Sequence, residues 1–105
     1  MRFLPPPPLV SAMQQMGANI EIARKRRRWT EAMMAERVGV SRQTYSKIES
    51  GDPSVSWGAV ASALFVLQMT DQVSQLAAPE NDPVGMHLSE EDLPMRVRRP
   101  SKRGR

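Results

Sequence analysis

Between residues 41 and 50 the chain reads "SRQTYSKIES", in which Arg42, Gln43, Thr44 and Lys47 fall within about two turns of one another if the stretch is helical. Their chemistry is hydrogen bonding rather than catalysis. A guanidinium presents a fork of donors that matches the paired acceptors of guanine, and a carboxamide offers the donor and acceptor that match adenine. Thr44 offers a hydroxyl and a methyl group, suited to a thymine methyl or a phosphate. Around them Ser41, Ser46 and Ser50, with Thr30 upstream, supply hydroxyls of the kind that hold a phosphate backbone without selecting sequence. A polar helix face is often only solvated, so the elements around these residues must decide which reading holds.

Few other residues compete for a chemical role. The chain of 105 residues has no cysteine and one histidine, His87, which excludes a disulfide scaffold and any cysteine-based metal site and leaves zinc to a site needing several carboxylates; no cofactor is expected. No nucleophile stands beside a base and no glycine-rich phosphate cradle occurs, so an enzyme is not expected. The acidic run "SEED" reads as solvated charge rather than a metal site. No window reaches the roughly 18 apolar residues of a membrane span, and "MRFLPPPPLV" breaks with four prolines where a signal peptide needs an apolar helix. With no cysteine to pair, a reducing, cytoplasmic setting is the expectation. The net charge of +4 comes from the end of the chain: Arg96, Arg98, Arg99, Lys102, Arg103 and Arg105 contain six of the basic groups, and setting them aside leaves nine basic against eleven acidic side chains. Positive charge that grips a duplex usually sits on the folded face, so pI alone argues little here.

The positioning elements follow from periodicity and caps. Four prolines at Pro5–Pro8 favour polyproline II, so residues 1–10 are expected to form a leader outside the core. From Ser11, Met13, Met16, Ile20 and Ala23 recur at helical steps, and Arg24–Arg28 place positive charge at that helix's C-terminal end. Thr30 caps a second helix with apolar Met33, Met34 and Val38, ended by Gly39. Ser41 caps a third, with Tyr45 and Ile48 inward and Gly51 as its stop. Ser56 opens a fourth, in which Val60, Ala61, Leu64, Phe65 and Leu67 form an almost continuous apolar run. Thr70 caps a fifth containing Val73 and Leu76. The expected architecture is all-α: a compact five-helix domain over residues 11–78, with residues 79–105 as a flexible basic tail. Within that tail Val84, Met86 and Leu88 alternate as in a strand, and so do Leu93, Met95 and Val97, which leaves a docked strand and a disordered segment as equal alternatives.

Two capped helices joined by a tight turn at Gly39 have the geometry of a helix-turn-helix, whose second helix enters the major groove. The stretch "AERVGVSRQTYSKIESG" resembles the xenobiotic-response-element family, the helix-turn-helix class that includes the phage repressors and Cro, over about residues 17–69. The resemblance implies that Ala35, Val40 and Ile48 are buried spacers, with Tyr45 where an aliphatic residue is commoner. It also implies a partly buried bridge between Arg24 and Glu49, a cation offsetting the desolvation of an inward carboxylate. This chain departs from the family at Glu31, where a phosphate-touching glutamine is common, and at Asp52, where basic residues often follow. Both repel a phosphate backbone, so a single head is expected to bind weakly and with strong salt dependence, and a homodimer on an inverted repeat is expected to recover affinity.

The combination of such a head with "DPVGMHLSEEDLPMRVRRPSKRGR" resembles the HipB-like antitoxins encoded beside HipA-like serine/threonine kinases. That resemblance implies a repressor of its own operon that also binds the kinase, through the tail or a helix face. Ser101, in "RRPSK", is a candidate for a basic-directed kinase. The alternatives are a stand-alone transcriptional regulator and an interaction module that has lost DNA binding.

Overall fold

A computed structural model describes residues 4–92, and these contain six α-helices, one short 3₁₀ turn and no strand. The chain divides into two compact units, one running to Val73 and the other beginning at Ser74.

In the first unit, α1 (Pro7–Arg26) is the longest helix and buries Ile20, Ala23 and Arg24. It starts four residues earlier than its periodicity indicates. Pro7 and Pro8 occupy its first turn, where a missing N–H costs nothing and a fixed φ is already helical. The amides of Leu9 and Val10 then donate to the Pro6 carbonyl, so a stretch expected outside the helix begins it. Helix α2 (Glu31–Val38) is capped by the Thr30 hydroxyl, which accepts from the Met33 N–H at 3.1 Å. Helix α3 (Arg42–Ser50) is capped in the same way by Ser41, accepting from Thr44 at 3.0 Å. Helix α4 (Trp57–Val66) is capped by Ser56 through the Ala59 N–H. Helix α5 (Thr70–Gln75) has Thr70 as its first residue rather than its cap, and it ends before Leu76.

Packing sets which of these faces matter. Helix α3 lies against α1 and α2, and α2 lies against α4. The core between them is built from Ile20, Met34, Tyr45, Ile48, Ala63 and Leu67, with Tyr45, Met34 and Leu67 wholly enclosed. Three side chains expected in apolar contact face outward instead: Phe65 is 68% exposed, Leu76 56% and Met33 38%. The reason for Phe65 is angular. Val60, Ala63, Leu64 and Leu67 already fill the inward arc of α4, and residue 65 projects from the opposite side.

The second unit corrects the expectation of an extended tail. The 3₁₀ turn (Pro79–Asn81) leads into α6 (Pro83–Asp92), so Val84, Met86 and Leu88 lie on a helix rather than a strand. Asp82 is its cap: its carboxylate accepts from the Gly85 N–H at 2.9 Å and its carbonyl from the Met86 N–H at 2.8 Å. An aspartate followed by proline at the first helical position starts a helix, although the same cluster of Asn81, Asp82 and Pro83 resembles a stop. The basic residues Arg96, Arg98, Arg99, Lys102, Arg103 and Arg105, together with Ser101 and the run Leu93, Met95, Val97, lie outside the described residues.

Gly39 and Gly51 end α2 and α3 with φ of 90° and 76°. They differ in surroundings. A Cβ on Gly39 meets nothing within 4 Å, whereas one on Gly51 falls 2.7 Å from the α1 backbone at Met13 and Gln14. Gly39→Ala is therefore expected to cost only the left-handed backbone penalty, about 1 to 2 kcal/mol. Gly51→Ala adds displacement of a helix backbone and is expected to cost about 2 to 5 kcal/mol. Urea unfolding followed by circular dichroism orders the two, and equal losses contradict this account of the α1–α3 contact.

Candidate nucleic-acid interface

Helix α3 has an inner face that is locked and an outer face that is free. Inward, Tyr45 and Ile48 enter the core, and Glu49 turns its carboxylate toward α1. There Arg24 Nε donates to Glu49 Oε2 at 2.7 Å and Nη2 to Oε1 at 3.3 Å, a two-point grip between side chains only 9% and 7% exposed. The Tyr45 hydroxyl donates to Glu49 Oε2 at 2.5 Å. Arg24 Nη1 also donates to the Trp29 carbonyl at 2.8 Å, so one guanidinium holds α1, the turn before α2 and α3 together. The hydrogen bond to Glu49 is the main reason that the Arg24 guanidinium is held above its usual range. Burial, and then the hydrogen bond to the Glu49 carboxylate, push the Tyr45 phenol far above its usual value.

Outward, Gln43, Lys47 and Ser50 lie on the side of α3 opposite Tyr45 and Ile48, with Arg42 exposed in the first turn. The Arg42 and Gln43 side chains enter none of the hydrogen bonds or ion pairs found among the described residues, so their donors and acceptors are open to a partner. Thr44 is half-buried, and its oxygen accepts from the Ser41 hydroxyl at 3.0 Å while its own proton stays available. The other hydroxyls are less free. Ser50 donates to the Lys47 carbonyl, and Ser46 donates to Glu31 Oε1 at 2.7 Å. Thr30, used as an acceptor by the Met33 amide, retains its proton. The unpaired N–H groups at the start of α3 add donors at its positive end.

The two acidic departures also find places. Glu31 faces α3 rather than standing as an isolated charge: it accepts from Ser46 and lies 3.9 Å from Arg24. Its charge is thus partly offset within the protein. Asp52 accepts from the Ser54 N–H at 2.8 Å, and hydrogen bonds from the Ser54 backbone and side chain, with Lys47 nearby, hold its carboxyl below the usual range. It stays ionised on the loop after α3.

Several supporting residues have no motif to announce them. Gly17 lets α1 and α3 approach so closely that a Cβ there falls 2.3 Å from the Glu49 carbonyl oxygen. Arg27 donates to the Ala23 carbonyl at 2.7 Å and to that of Leu67 at 2.9 Å, fastening α1 to the end of α4. Arg37 stacks over the Trp29 ring at 4.2 Å. The signal available for Gly17 was a glycine in the middle of an otherwise good helix.

An N-capped helix that exposes base-matching side chains, braced by a second helix across a glycine turn, defines a helix-turn-helix. Sequence comparison matches residues 15–76 to the helix-turn-helix domain family, and the chain belongs to that DNA-binding family. Neither the curated proteins nor the solved structures searched contain a match. No helix among the described residues is long and apolar enough to cross a membrane.

Two outcomes test the inner lock. Arg24→Met leaves the Glu49 carboxylate buried without its cation and is expected to cost about 3 to 5 kcal/mol, much of it restored in Arg24→Met/Glu49→Leu. The second concerns alkali. The unfolded chain's tyrosine ionises near pH 10 and the folded one only well above it. Stability is therefore intact below pH 10 and falls as pH rises toward the folded value, by about 1 kcal/mol between pH 10 and 11. Tyr45→Phe removes this component. Denaturant titrations of both proteins across that range check it, and identical alkaline losses contradict it.

Proposed function

We propose that the protein is a sequence-specific DNA-binding transcriptional repressor that acts as a homodimer on an inverted-repeat operator, with Arg42, Gln43, Thr44 and Lys47 reading base edges in the major groove. The observation that carries this reading is the division of α3. Its inner side is fixed by Arg24, Tyr45 and Glu49, while Arg42 and Gln43 stand exposed and uncommitted beside the helix's N-terminus. A merely solvated face needs neither that bracing nor side chains with bidentate base chemistry. Phosphate contact falls to Thr30, to the first N–H groups of α3 and to Ser41 once its hydroxyl releases Thr44. Ser46 and Ser50 serve instead through their backbone or after giving up their present acceptors.

We further propose that the protein is the antitoxin of a HipA-like serine/threonine kinase and represses the operon that encodes both, working in the cytoplasm on the nucleoid. Support for this part is the resemblance of residues 82–105 to the tails of such antitoxins, with Arg96, Arg98, Arg99, Lys102, Arg103 and Arg105 as the cationic docking groups. Helix α6 gives that segment a folded start. A regulator acting alone is the competing reading. Affinity purification from native cells at moderate salt separates the two: a co-purifying kinase supports the antitoxin, and promoter DNA with no protein partner supports the regulator.

For the reading head itself, Arg42→Ala and Gln43→Ala are each expected to weaken binding to the operator by about 5- to 150-fold while leaving helicity unchanged. Lys47→Ala is expected to lower the slope of log affinity against log salt by about 1 if the ammonium also neutralises a phosphate. Electrophoretic mobility shifts with the native promoter measure both. Retention of full operator affinity by the Arg42→Ala/Gln43→Ala double variant would falsify the assignment of α3 as the reading helix.

A further inference from the structure

The outer face of α4 has no role in the core or in the reading head, yet its composition is unusual for a surface. From Pro53 to Thr70 there is no charged side chain, in a protein where a quarter of the residues are charged. On this face Trp57 is 51% exposed and Phe65 is 68% exposed. Between them stand only small residues: Gly58 is exposed, and Ala61 and Ser62 are half-buried. Gly58 has no explanation within the folded chain. A Cβ there meets nothing within 4 Å, and its φ is not in the left-handed region, so alanine fits without strain and favours the helix by up to about 1 kcal/mol.

The spacing supplies a reason. Gly58 and Phe65 are seven residues apart, which puts them on the same face about 10 Å from one another, and the midpoint falls between Ala61 and Ser62. We propose that this face is the homodimer interface, formed by an antiparallel pair of α4 helices whose two-fold axis passes between Ala61 and Ser62. Phe65 of one copy fills the space over Gly58 of the other, with Trp57 closing the side of that pocket. Small residues at the crossing let the two backbones approach.

The charge pattern fits a second copy, and the exposed area fits a weak one. A two-fold interface sets each patch against itself, so any net charge meets its own sign, and a face without charge is the one that pairs without that cost. The exposed parts of the two aromatics provide roughly 250 Å² per copy and about 500 Å² in the pair. Specific interfaces begin near about 1,200 Å², so the two aromatics alone cover less than half of that area. The free dimer is accordingly weak, and two half-sites on one DNA strengthen it by making the second contact intramolecular. The surface lies on a different helix from Arg42 and Gln43, so dimerisation leaves them open. This inference names the surface behind the dimer proposed above, but its test needs no DNA.

Sedimentation velocity on the full chain is expected to show a reversible monomer–dimer equilibrium. Phe65→Glu, and independently Gly58→Leu, raise its dissociation constant roughly 30-fold, the effect of removing a strong interface contact. Because Phe65 projects into solvent, Phe65→Glu keeps the wild-type thermal transition of the monomer. The chain has no cysteine, so Ser62→Cys provides a unique thiol at the proposed axis. It is expected to form a disulfide-linked dimer under mild oxidation, while Ala12→Cys, exposed on α1, does not. The proposal is overturned by a chain that stays monomeric at millimolar concentration, by a dimer indifferent to both substitutions, or by equal cross-linking at positions 12 and 62. Each of these leaves operator binding by α3 to stand or fall separately.

Discussion

One buried guanidinium organises the DNA-binding unit. Arg24 reaches from α1 to the carboxylate of Glu49 on α3 and to the backbone of Trp29 just before α2, so one cation joins three segments. Burying that charge is unfavourable unless each donor is used, and here the partners are a carboxylate, a carbonyl and the more distant Glu31. Tyr45 completes the arrangement by donating to the same carboxylate from within α3. Apolar packing alone lets short helices slide and rotate against one another. A two-point ion pair fixes the rotation of α3 about its own axis, and that rotation decides which side chains look outward.

The backbone follows the same constraint. Gly17 and Gly51 lie where α1 meets α3, and neither position has room for a methyl group. The close approach brings the Glu49 carboxylate within reach of Arg24 without long, flexible spacers. At the other end of α1, Arg27 ties the helix to the Leu67 carbonyl, and Arg37 of α2 stacks on Trp29 in the turn that leads into that helix. The long first helix thus acts as a common support, with α3 held along one side and α4 secured at its end.

How much of this was legible depended on whether a residue acts through its own backbone or through a distant one. Thr30, Ser41 and Ser56 cap within three residues of themselves, and Gly39 and Gly51 stop helices through their own φ, so the boundaries of α2, α3 and the start of α4 follow from local chemistry. The ends of α1 and α4 were harder to read because their left-handed residues are Arg28 and Gln68, not glycine. Each chain reversal is recognisable only from the amides of Trp29 and Met69 returning to Arg24 and Leu64. Proline misled twice, at Pro7 and Pro83, because in a first turn it favours the helix that it breaks elsewhere. The exposure of Phe65 was hidden by composition: α4 is apolar on nearly all sides, and periodicity carries no direction when every position scores alike. In the reading head, the face bearing Arg42 and Gln43 followed from helical spacing, whereas Ser46 pairing with Glu31 joins two helices at positions that no local pattern connects.

The anchoring of α3 runs from its middle to the residue just past its end, at Tyr45, Ser46, Ile48, Glu49 and Gly51, and none of these contacts uses the side chain of Arg42 or Gln43. Retention of α3 and the base reading proposed for Arg42 and Gln43 thus fall to different residues of one nine-residue helix. Substitutions at positions 42 and 43 break none of the side-chain contacts that hold α3 in place. On the reading proposed above, a lineage carrying this scaffold can exchange one recognition sequence for another in single steps without losing the contacts that fold it. The same separation makes the head a mount on which a new set of side chains can be installed without redesigning what lies beneath.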